Sequence, residues 1–258
     1  MIAVVNGATG NGPLCGLVAL VTGGAKGIGL AIARRLVADG AAIALIGRDV
    51  AALQQAAGEL GARHAVADVT DHAAFRGAIA TLGACDILVN NAGAAVSKPF
   101  AKHAMGDFEA MLAVNLLSAV TACQAVLPGM RARGFGRIIN IASTAGLKGY
   151  AYVTAYAAAK HALVGFTRSL ALETVKDGIT VNAVCPGFTD TDMLSRAVAT
   201  IAAAGGRSED EARSKLASGN PAGRLVQPQE VAEVVAFLCR RDAGAMTGQA
   251  IAVAYGEV

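Results

Sequence analysis

Tyr156 and Lys160 stand four positions apart in YAAAK (156–160), a spacing that places both side chains on one face of a helix. A phenol with a pKa of about 10 is a poor proton-transfer group at neutral pH. An adjacent ammonium stabilises the phenolate and lowers that pKa, so the pair could donate a proton to a carbonyl oxygen that becomes an alkoxide. An isolated YxxxK is more often a surface tyrosine and lysine, so this interpretation needs support from elsewhere in the chain.

Two glycine-rich stretches follow short β-branched runs, VVNGATGNG (4–12) and VTGGAKGIG (21–29). A glycine-rich loop that opens a helix binds phosphate through backbone N–H groups. The second stretch continues into LAIARRLVADG, a helical pattern, whereas Pro13 and the next strand follow the first. We therefore assign dinucleotide binding to the second stretch and interpret residues 1–13 as a loose N-terminal arm.

The composition is typical of a globular enzyme. The chain has 258 residues, of which 54% are hydrophobic and 16% charged, which fits one α/β domain whose sheet is covered on both faces. The net charge of +3 comes with no basic cluster interleaved with aromatic residues, which argues against a nucleic-acid partner. The five cysteines lack CxxC or Cys/His metal spacing, so we expect reduced core thiols in a cytoplasmic protein without a metal site.

An uncharged segment, residues 110–130, is long enough to span a membrane, for which about 20 residues suffice. Polar residues recur through it, and Pro128 is expected to end it. A helix that is apolar nearly all round is also typical of a buried or interface helix, so we expect a core helix and no membrane contact. The first residues lack a Lys/Arg-led apolar core, so no signal peptide is expected.

Apolar β-type runs alternate with amphipathic helical patterns along the chain. The predicted strands are 17–22, 42–47, 64–69, 86–91, 137–143, 179–184 and 249–254. This alternation predicts an α/β fold, a Rossmann-type doubly wound parallel sheet of about seven strands. We expect residues 14–258 to form a single dinucleotide-binding catalytic domain. The polar, glycine-rich residues 188–223 interrupt the pattern at the carboxyl end of the sheet, where a substrate lid would lie.

Four motifs occur in the order and spacing of the short-chain dehydrogenase/reductase family, namely TGGAKGIG (22–29), NNAG (90–93), YAAAK (156–160) and PGFTDT (186–191). Asn115 in VNL and Ser143, 13 positions before Tyr156, fit the same pattern. The resemblance runs from about Leu14 to Val253. Within the family, the sequence is most similar to reductases of 3-oxoacyl thioesters and polyketides.

The resemblance implies a catalytic set of Asn115, Ser143, Tyr156 and Lys160. Ser143 would hydrogen-bond the carbonyl oxygen as charge develops on it, although a serine that ends a strand also commonly caps a turn. Asn115 would hold a kink and a water molecule that relays protons to Lys160. Inside a helix an asparagine is otherwise unfavourable, because its side chain competes for backbone hydrogen bonds.

The resemblance also implies a cofactor site at the carboxyl edge of the sheet. Asn91 would tie the sheet together while its neighbours approach the cofactor. The implied cofactor residues are Gly23, Lys26, Gly27, Ile28 and Gly29 in the glycine loop, Arg48, Asp68 and Val69 around the adenosine, Asn90, Ala92 and Gly93 after the fourth strand, Tyr156 and Lys160, and Pro186, Gly187, Thr189 and Thr191 around the nicotinamide.

The choice of dinucleotide depends on the end of the second strand. NAD enzymes bind the ribose 2′-hydroxyl with an acid about 20 residues beyond the glycine loop. The family pattern places that acid at the last residue of the strand, which here is Gly47. Arg48 follows, and Lys26 is a second basic position typical of members that bind the 2′-phosphate. Asp49 is then the N-cap of the next helix. NADP(H) is favoured, with NAD(H) as the alternative.

The expected function is NADPH-dependent reduction of a ketone, such as a 3-oxoacyl thioester, to a secondary alcohol with Tyr156 as proton donor. One alternative is an NAD(P)-dependent dehydrogenase of a sugar, cyclic or steroid secondary alcohol. Another is a non-catalytic cofactor-binding regulator, against which the complete catalytic set argues. Helices Ala110–Leu127 and Tyr156–Glu173 carry more apolar surface than one sheet face covers, which with the resemblance predicts a homo-oligomer, a tetramer.

Two regions bear on the substrate and on assembly. Many family members end with Val-Asp-Gly-Gly where this chain has VAYGEV (253–258), so Tyr255 either packs at an interface or reaches toward the site. Arg131, Arg133 and Arg137 could meet an acidic carrier protein. Asp177 stands where carrier-dependent relatives carry an arginine and would repel such a carrier, which favours a coenzyme A ester or a small free ketone.

Overall fold

The computed structural model describes residues 12–206 and 208–258, so the expected N-terminal arm, except for its last two residues, lies outside the described part. Within these residues, seven parallel strands lie in one sheet of order β3-β2-β1-β4-β5-β6-β7. They are β1 (Val18–Thr22), β2 (Ala42–Gly47), β3 (Arg63–Val66), β4 (Ile87–Asn90), β5 (Gly136–Ile141), β6 (Ile179–Pro186) and β7 (Ala250–Val253). The predicted doubly wound sheet is confirmed.

Nine α-helices in the described residues cover the sheet and its carboxyl edge. They are α1 (Gly27–Ala38), α2 (Val50–Leu60), α3 (His72–Leu82), α4 (Met105–Leu112), α5 (Ser118–Arg133), α6 (Thr154–Thr174), α7 (Asp192–Gly205), α8 (Glu209–Ser218) and α9 (Pro228–Cys239). Leu36 of α1, Leu53 of α2 and Val235 of α9 share one apolar core with the sheet. The helices α3, α5 and α6 contribute to a second core, so both faces are buried.

The strand boundaries differ most from prediction at the edge of the sheet. The strand β3 ends at Val66, three residues earlier than expected, and pairs only with β2. An edge strand has one neighbour to extend its ladder, whereas β6 pairs on both sides and continues to Pro186. The apolar pattern of the sequence alone does not show whether a strand lies at the edge of the sheet or inside it.

The glycine loop joins β1 to α1. The helix begins at Gly27, inside the motif rather than after it. A Cβ atom on Gly29 would lie 2.3 Å from the carbonyl oxygen of Gly23 and 2.5 Å from Nδ2 of Asn91, so the backbone passes too closely for a side chain. Before β1, residues 13–16 form a turn and not a helix, which agrees with assigning the binding loop to the second glycine stretch.

The long uncharged segment belongs to one helical run, Met105–Arg133, which by length and composition alone could cross a membrane. Ala122, Cys123 and Val126 are buried in the core. We expected Pro128 to end the helix, and this expectation was wrong. Although proline removes one backbone hydrogen bond and crowds the preceding turn, α5 continues past Pro128 to Arg133. It ends at Gly134, which has the left-handed conformation favoured at helix ends.

Residues 188–223 form α7 and α8. A capping box begins α8, because the Ser208 amide donates to Glu211 (2.9 Å) and the Glu211 amide donates to the Ser208 hydroxyl (3.2 Å). Leu194 and Val198 of α7 pack with Ala212 of α8 in an apolar cluster of their own. The two helices therefore stack on each other beyond the carboxyl edge of the sheet.

Candidate active site

The helix α6 presents Tyr156 and Lys160 beside the end of β5. Lys160 Nζ lies 5.7 Å from the centre of the Tyr156 ring and donates a hydrogen bond of 2.8 Å to the carbonyl oxygen of Ile141. Only 4% of Lys160 is exposed, and burial lowers its pKa to about 8. The predicted pair is thus close in space and is fixed to the sheet by the lysine.

Burial raises the pKa of Tyr156, and a hydrogen bond with Ser143 opposes this increase. Our expectation that the neighbouring ammonium sets a lowered pKa was wrong for this structure, because desolvation of the phenolate is the larger effect. A phenol is already protonated at neutral pH at its ordinary pKa, so Tyr156 is in the form that can donate a proton to a developing alkoxide. Burial makes this phenol a weaker acid, and the hydrogen bond with Ser143 reduces that effect.

Ser143 follows β5 and begins the single turn Thr144–Gly146. Its hydroxyl oxygen accepts a hydrogen bond of 3.1 Å from the amide of Ala145. The hydroxyl proton stays available for a second acceptor. Both interpretations of Ser143 hold together, since it caps a turn and also faces Tyr156.

Asn115 lies in a widened, π-helical turn, Ala113–Leu117, between α4 and α5. Its amide nitrogen donates to the carbonyl oxygens of Ala94 (2.9 Å) and Met111 (3.0 Å), and the side chain is buried. These bonds satisfy an amide that would otherwise compete with the helix backbone. Wide turns of this kind occur often at functional sites.

Gly93 brings Asn115 and Lys160 to the same place. A Cβ atom on Gly93 would lie 2.7 Å from Oδ1 of Asn115 and 3.7 Å from Nζ of Lys160. The structure therefore places three predicted site residues, from the end of β4, the widened turn and α6, around one point at the carboxyl edge of the sheet.

Asn91 and Thr22 connect the ends of β4 and β1. Asn91 Nδ2 donates to the carbonyl oxygens of Thr22 (3.0 Å) and Gly23 (3.1 Å). The Thr22 hydroxyl accepts from the amides of Asn91 and Ala92, both at 3.0 Å. We missed this role of Thr22, although a threonine at the end of β1 within the glycine motif was a visible signal.

The side chain of Asn90 points into the interior and not toward the cofactor site. Its Nδ2 donates to Oδ1 of Asn140 (2.8 Å), whose own Nδ2 donates to Thr167 Oγ1 (2.8 Å). Asn90 and Asn140 are register partners on β4 and β5, which explains the contact. Our assignment of Asn90 to the cofactor can therefore hold only for its backbone.

Two ion pairs lie at the end of β2. Lys26 Nζ is 2.7 Å from Asp49, and Arg48 is 3.3 Å from Asp68. Asp49 also accepts the amide of Ala52 (3.1 Å), which confirms it as the N-cap of α2. The two cations predicted to bind a 2′-phosphate thus lie at one edge, each beside a carboxylate.

The loop after β6 approaches the glycine loop. Thr191 caps α7, and its methyl group lies 3.3 Å from the position of a Cβ atom on Gly27. Thr189 turns its hydroxyl back to the carbonyl oxygen of Gly187 (2.9 Å). Pro186 ends β6, so the predicted nicotinamide loop leads from the end of β6 to the glycine loop.

The first turn of α1 fits a phosphate group. Lys26 occupies its N-cap position without a side-chain hydrogen bond to the helix, so the first backbone N–H groups are not capped by a side chain. Ile28 lies in this turn, and Val69 is buried after β3. Within residues 12–206 and 208–258, no cluster of three His, Cys, Asp or Glu side chains could hold a metal ion.

The predicted basic patch is not a surface of unpaired arginines. Arg131 pairs with Asp177 (2.8 Å), and Arg133 pairs with Asp86 (2.9 Å). Arg137 is buried and donates to backbone carbonyl oxygens, so our expectation that it faces a carrier protein was wrong. Arg137 is buried because it lies in β5, an inner strand of the sheet. The spacing of the three arginines in the sequence does not reveal this.

Tyr255 contacts α9 and not the active site. Its hydroxyl donates to the carboxylate of Glu230, and the guanidinium of Arg224 lies 4.5 Å from its ring centre. Arg224 also pairs with Glu230 at 2.8 Å. Of the two roles left open for Tyr255, the structure contradicts reach toward the site.

Burial of Lys160 predicts a pH-dependent stability. Between the folded pKa of about 8 and the ordinary value of 10.5, the unfolded chain binds a proton that the folded chain has released. The contribution of Lys160 to the free energy of unfolding therefore rises with pH across this window, and below it the burial cost is present in full. We expect the difference in urea-unfolding free energy, wild type minus Lys160→Met, to increase from pH 8 to pH 10. A flat difference would show that the folded pKa is not lowered.

Comparison with known proteins finds related sequences over nearly the whole chain. A family model described as short chain dehydrogenase matches residues 17–202. The chain is 43% identical to "Granaticin polyketide synthase putative ketoacyl reductase 1" of Streptomyces violaceoruber, covering 93% of this chain and 92% of that protein. It is 39% identical to a 3-oxoacyl acyl-carrier-protein reductase of Vibrio harveyi, covering 92% and 96%.

A crystal structure of a variant of actinorhodin polyketide ketoreductase with NADPH has the same fold. The TM-score is 0.90 at 39% sequence identity, and the match covers 93% of this chain and 97% of the other. The match to the family model and these identities over nearly the whole chain lead to one conclusion: the protein belongs to the short-chain dehydrogenase family.

Proposed function

We propose that the protein is an NADPH-dependent oxidoreductase that reduces a ketone, a 3-oxoacyl thioester or a similar carbonyl, to a secondary alcohol. The convergence of the Tyr156 phenol, the hydroxyl of Ser143 and the buried Lys160 at one edge of the sheet carries this proposal. Relatives named as ketoacyl reductases support the same reaction.

When bound, a nicotinamide dinucleotide would supply the hydride for this reaction. Tyr156, which is protonated at neutral pH, would donate its proton to the substrate oxygen as that oxygen becomes an alkoxide. The Ser143 hydroxyl, whose oxygen is held by the Ala145 amide, stabilises the charge that develops there. Lys160 stabilises the tyrosinate left behind and returns a proton to it, relayed through a water molecule that Asn115 positions.

The residues that would hold the dinucleotide line the carboxyl edge. The uncapped first turn of α1 would bind the phosphates, and Arg48 and Lys26 would bind a 2′-phosphate. The remaining proposed contacts are Gly23, Gly27, Ile28, Gly29, Asp68, Val69, the backbone of Asn90, Ala92, Gly93, Tyr156, Lys160, Pro186, Gly187, Thr189 and Thr191.

We expect kcat/KM for NADPH to exceed that for NADH by about tenfold or more, since a charge-assisted contact contributes on the order of 1–3 kcal/mol. Arg48→Ala should reduce this ratio mainly by raising KM for NADPH. The matched control is Arg34→Ala, which removes another surface arginine paired with a carboxylate at 2.6 Å. Equal kcat/KM for the two cofactors in the unmodified enzyme would contradict the NADP assignment.

The proposed substrate is a coenzyme A ester or a small free ketone. Pairing of Asp177 with Arg131 removes one cation from the surface that an acidic carrier protein would need. One relative is nevertheless named as a carrier-protein reductase. The reaction rates with coenzyme A esters and with carrier-protein thioesters must therefore both be measured. Residues 188–223 would act as the lid of a single catalytic domain, residues 14–258.

The test follows NADPH absorbance with 3-oxoacyl groups on coenzyme A and on carrier protein, and with simple ketones. Consumption of NADPH with any of these supports the proposal. Turnover only of NAD⁺ with a sugar, cyclic or steroid alcohol would favour the dehydrogenase alternative. Binding of NADPH without turnover of any substrate would indicate a regulator.

The proposal includes a homotetramer in the cytoplasm with a small-molecule substrate and neither nucleic acid nor membrane as partner. Leu172 of α6 is 81% exposed, and Leu117, in the widened turn that leads into α5, is also exposed. These two helical segments therefore present apolar side chains that a second copy of the chain would cover. We expect light scattering at micromolar concentration to give the mass of four chains. A monomer mass would contradict the assembly.

A further inference from the structure

A cavity of about 140 Å³ lies between α3 and α5, at the edge of the sheet opposite the active site. It reaches the loop 83–86, which leads into the amino end of β4. The active-site residues instead follow the carboxyl ends of the strands, and none of them lines this cavity. It is therefore separate in space from the proposed chemistry.

Most of the cavity wall is apolar. The apolar side chains that line it are Ile79, Ala80, Ala84, Cys85, Ala125 and Val126. The Cys85 thiol donates to the carbonyl oxygen of Ile87 (3.2 Å), and burial raises its pKa to about 12, so it is uncharged and already hydrogen-bonded. An apolar cavity of about 150 Å³ is large enough to hold benzene. The interior thus fits an apolar group of the size of one ring.

Three arginines surround this cavity. Arg76 and Arg133 line it, and Nη1 of Arg63 lies 3.4 Å from the position of a Cβ atom on Gly83, another lining residue. Arg63 and Arg76 are exposed, so their cations lie on the solvent side of the cavity. Within residues 12–206 and 208–258, neither of these two arginines forms an ion pair.

Arg133 is held in place at the wall of the cavity. Its Nε lies 2.9 Å from the carboxylate of Asp86, and its Nη2 donates to the carbonyl oxygen of Cys85. Nη1 lies 3.2 Å from the position of a Cβ atom on Gly129, a lining residue of α5. One edge of this guanidinium is therefore fixed by the protein, while Nη1 lies beside the cavity.

The charge around the cavity is positive. Three guanidinium groups and the carboxylate of Asp86 leave two positive charges. The helices α3 and α5 both end here, and each carboxyl end adds about half a negative charge. About one positive charge therefore remains without compensation, and an anion at this place would reduce the repulsion between the arginines.

We propose that this cavity is a second binding site of the protein, for a small organic acid. Its apolar group, of the size of one ring, fills the interior, and its carboxylate binds Arg76 with Arg63 and Arg133 beside it. The planar fork of an arginine matches the two oxygens of a carboxylate. This inference does not depend on the proposed ketone reduction.

The first experiment is isothermal titration calorimetry of the full chain with benzoate, benzyl alcohol and acetate. Benzoate should bind with a dissociation constant on the order of 1 mM or lower, the range open to a ligand of this size. Benzyl alcohol keeps the ring without the charge, and acetate keeps the charge without the ring, so each should bind at least about tenfold more weakly. Equal affinity for acetate and benzoate would show a surface ionic contact only and overturn the inference.

Variants of the cavity locate the site. Arg76→Ala should raise the dissociation constant for benzoate about tenfold, the effect of losing one charge-assisted contact. Ala125→Leu should abolish binding, because the larger side chain fills the interior. The matched control is Arg168→Ala, which removes an exposed arginine of α6 that does not line the cavity and should leave the dissociation constant unchanged.

A competing site for benzoate is the active site itself. Saturation with NADPH and the variant Ser143→Ala should both leave the dissociation constant for benzoate unchanged, because the cavity lies at the other edge of the sheet. Arg76 is exposed, so Arg76→Ala keeps the inference testable if Ala125→Leu does not fold. Absence of benzoate binding, or binding that Ser143→Ala weakens and Arg76→Ala does not, would overturn the inference.

Discussion

Replacing Tyr156 by Phe is expected to lower kcat by about 10²- to 10⁴-fold, the range typical of a removed general acid. The dissociation constant for NADPH should change little, because the phenol oxygen acts on the proton and not on the dinucleotide phosphates. The two measurements are stopped-flow reduction of a ketone and titration of cofactor fluorescence. A fall in kcat without a change in the NADPH dissociation constant identifies a residue that acts in the chemical step and not in cofactor binding.

Tyr152→Phe is the matched control for this prediction. Tyr152 stands just before α6 and is exposed, so removing its hydroxyl should leave kcat and cofactor affinity at wild-type values. Loss of turnover and of NADPH binding together in folded Tyr156→Phe would indicate a structural role for the phenol. That outcome would remove Tyr156 from the mechanism.

Gly29→Ala is expected to weaken NADPH binding by more than about tenfold and to destabilise the fold by about 1–3 kcal/mol, the usual cost of overpacking. The added methyl group would lie 2.3 Å from the Gly23 oxygen and 2.5 Å from Asn91 Nδ2. Relief of this clash must separate the glycine loop from the end of β4. Thermal unfolding and a cofactor titration measure the two effects.

Gly77→Ala supplies the comparison for a glycine inside a helix. Gly77 lies within α3, and a Cβ atom there would meet no atom within 4 Å. This variant should gain about 0.4–1 kcal/mol of stability through a less flexible unfolded chain and keep its cofactor affinity. Wild-type affinity and stability in Gly29→Ala would show that the loop yields easily, contrary to the close contacts.

Local patterns were sufficient to predict the elements of this fold. Alternation of apolar runs and helices identified all seven strands, and the helix after Gly29 distinguished the two glycine stretches. The i, i+4 spacing placed Tyr156 and Lys160 together because a helix fixes that distance. Each of these inferences depends on neighbours in sequence.

Features that depend on distant neighbours were missed or wrong. The side chain of Asn90 turns inward because Asn140 is its register partner on the next strand. The pKa of Tyr156 depends on how deeply the folded chain buries it, which no spacing reveals. Glu257 is 107 positions from Tyr150, so only the folded chain shows that the two side chains meet.

The order of the sheet determines when the chain can fold during synthesis. The strand β1 pairs with β2 on one side and with β4 on the other. Once β2 has emerged from the ribosome, the second edge of β1 stays open until residues 87–90 follow. Unpaired strand edges are aggregation-prone. During this interval a chaperone that binds the open edge of β1 would protect the nascent chain from aggregation. Slowing translation between β2 and β4 should therefore lower the soluble yield.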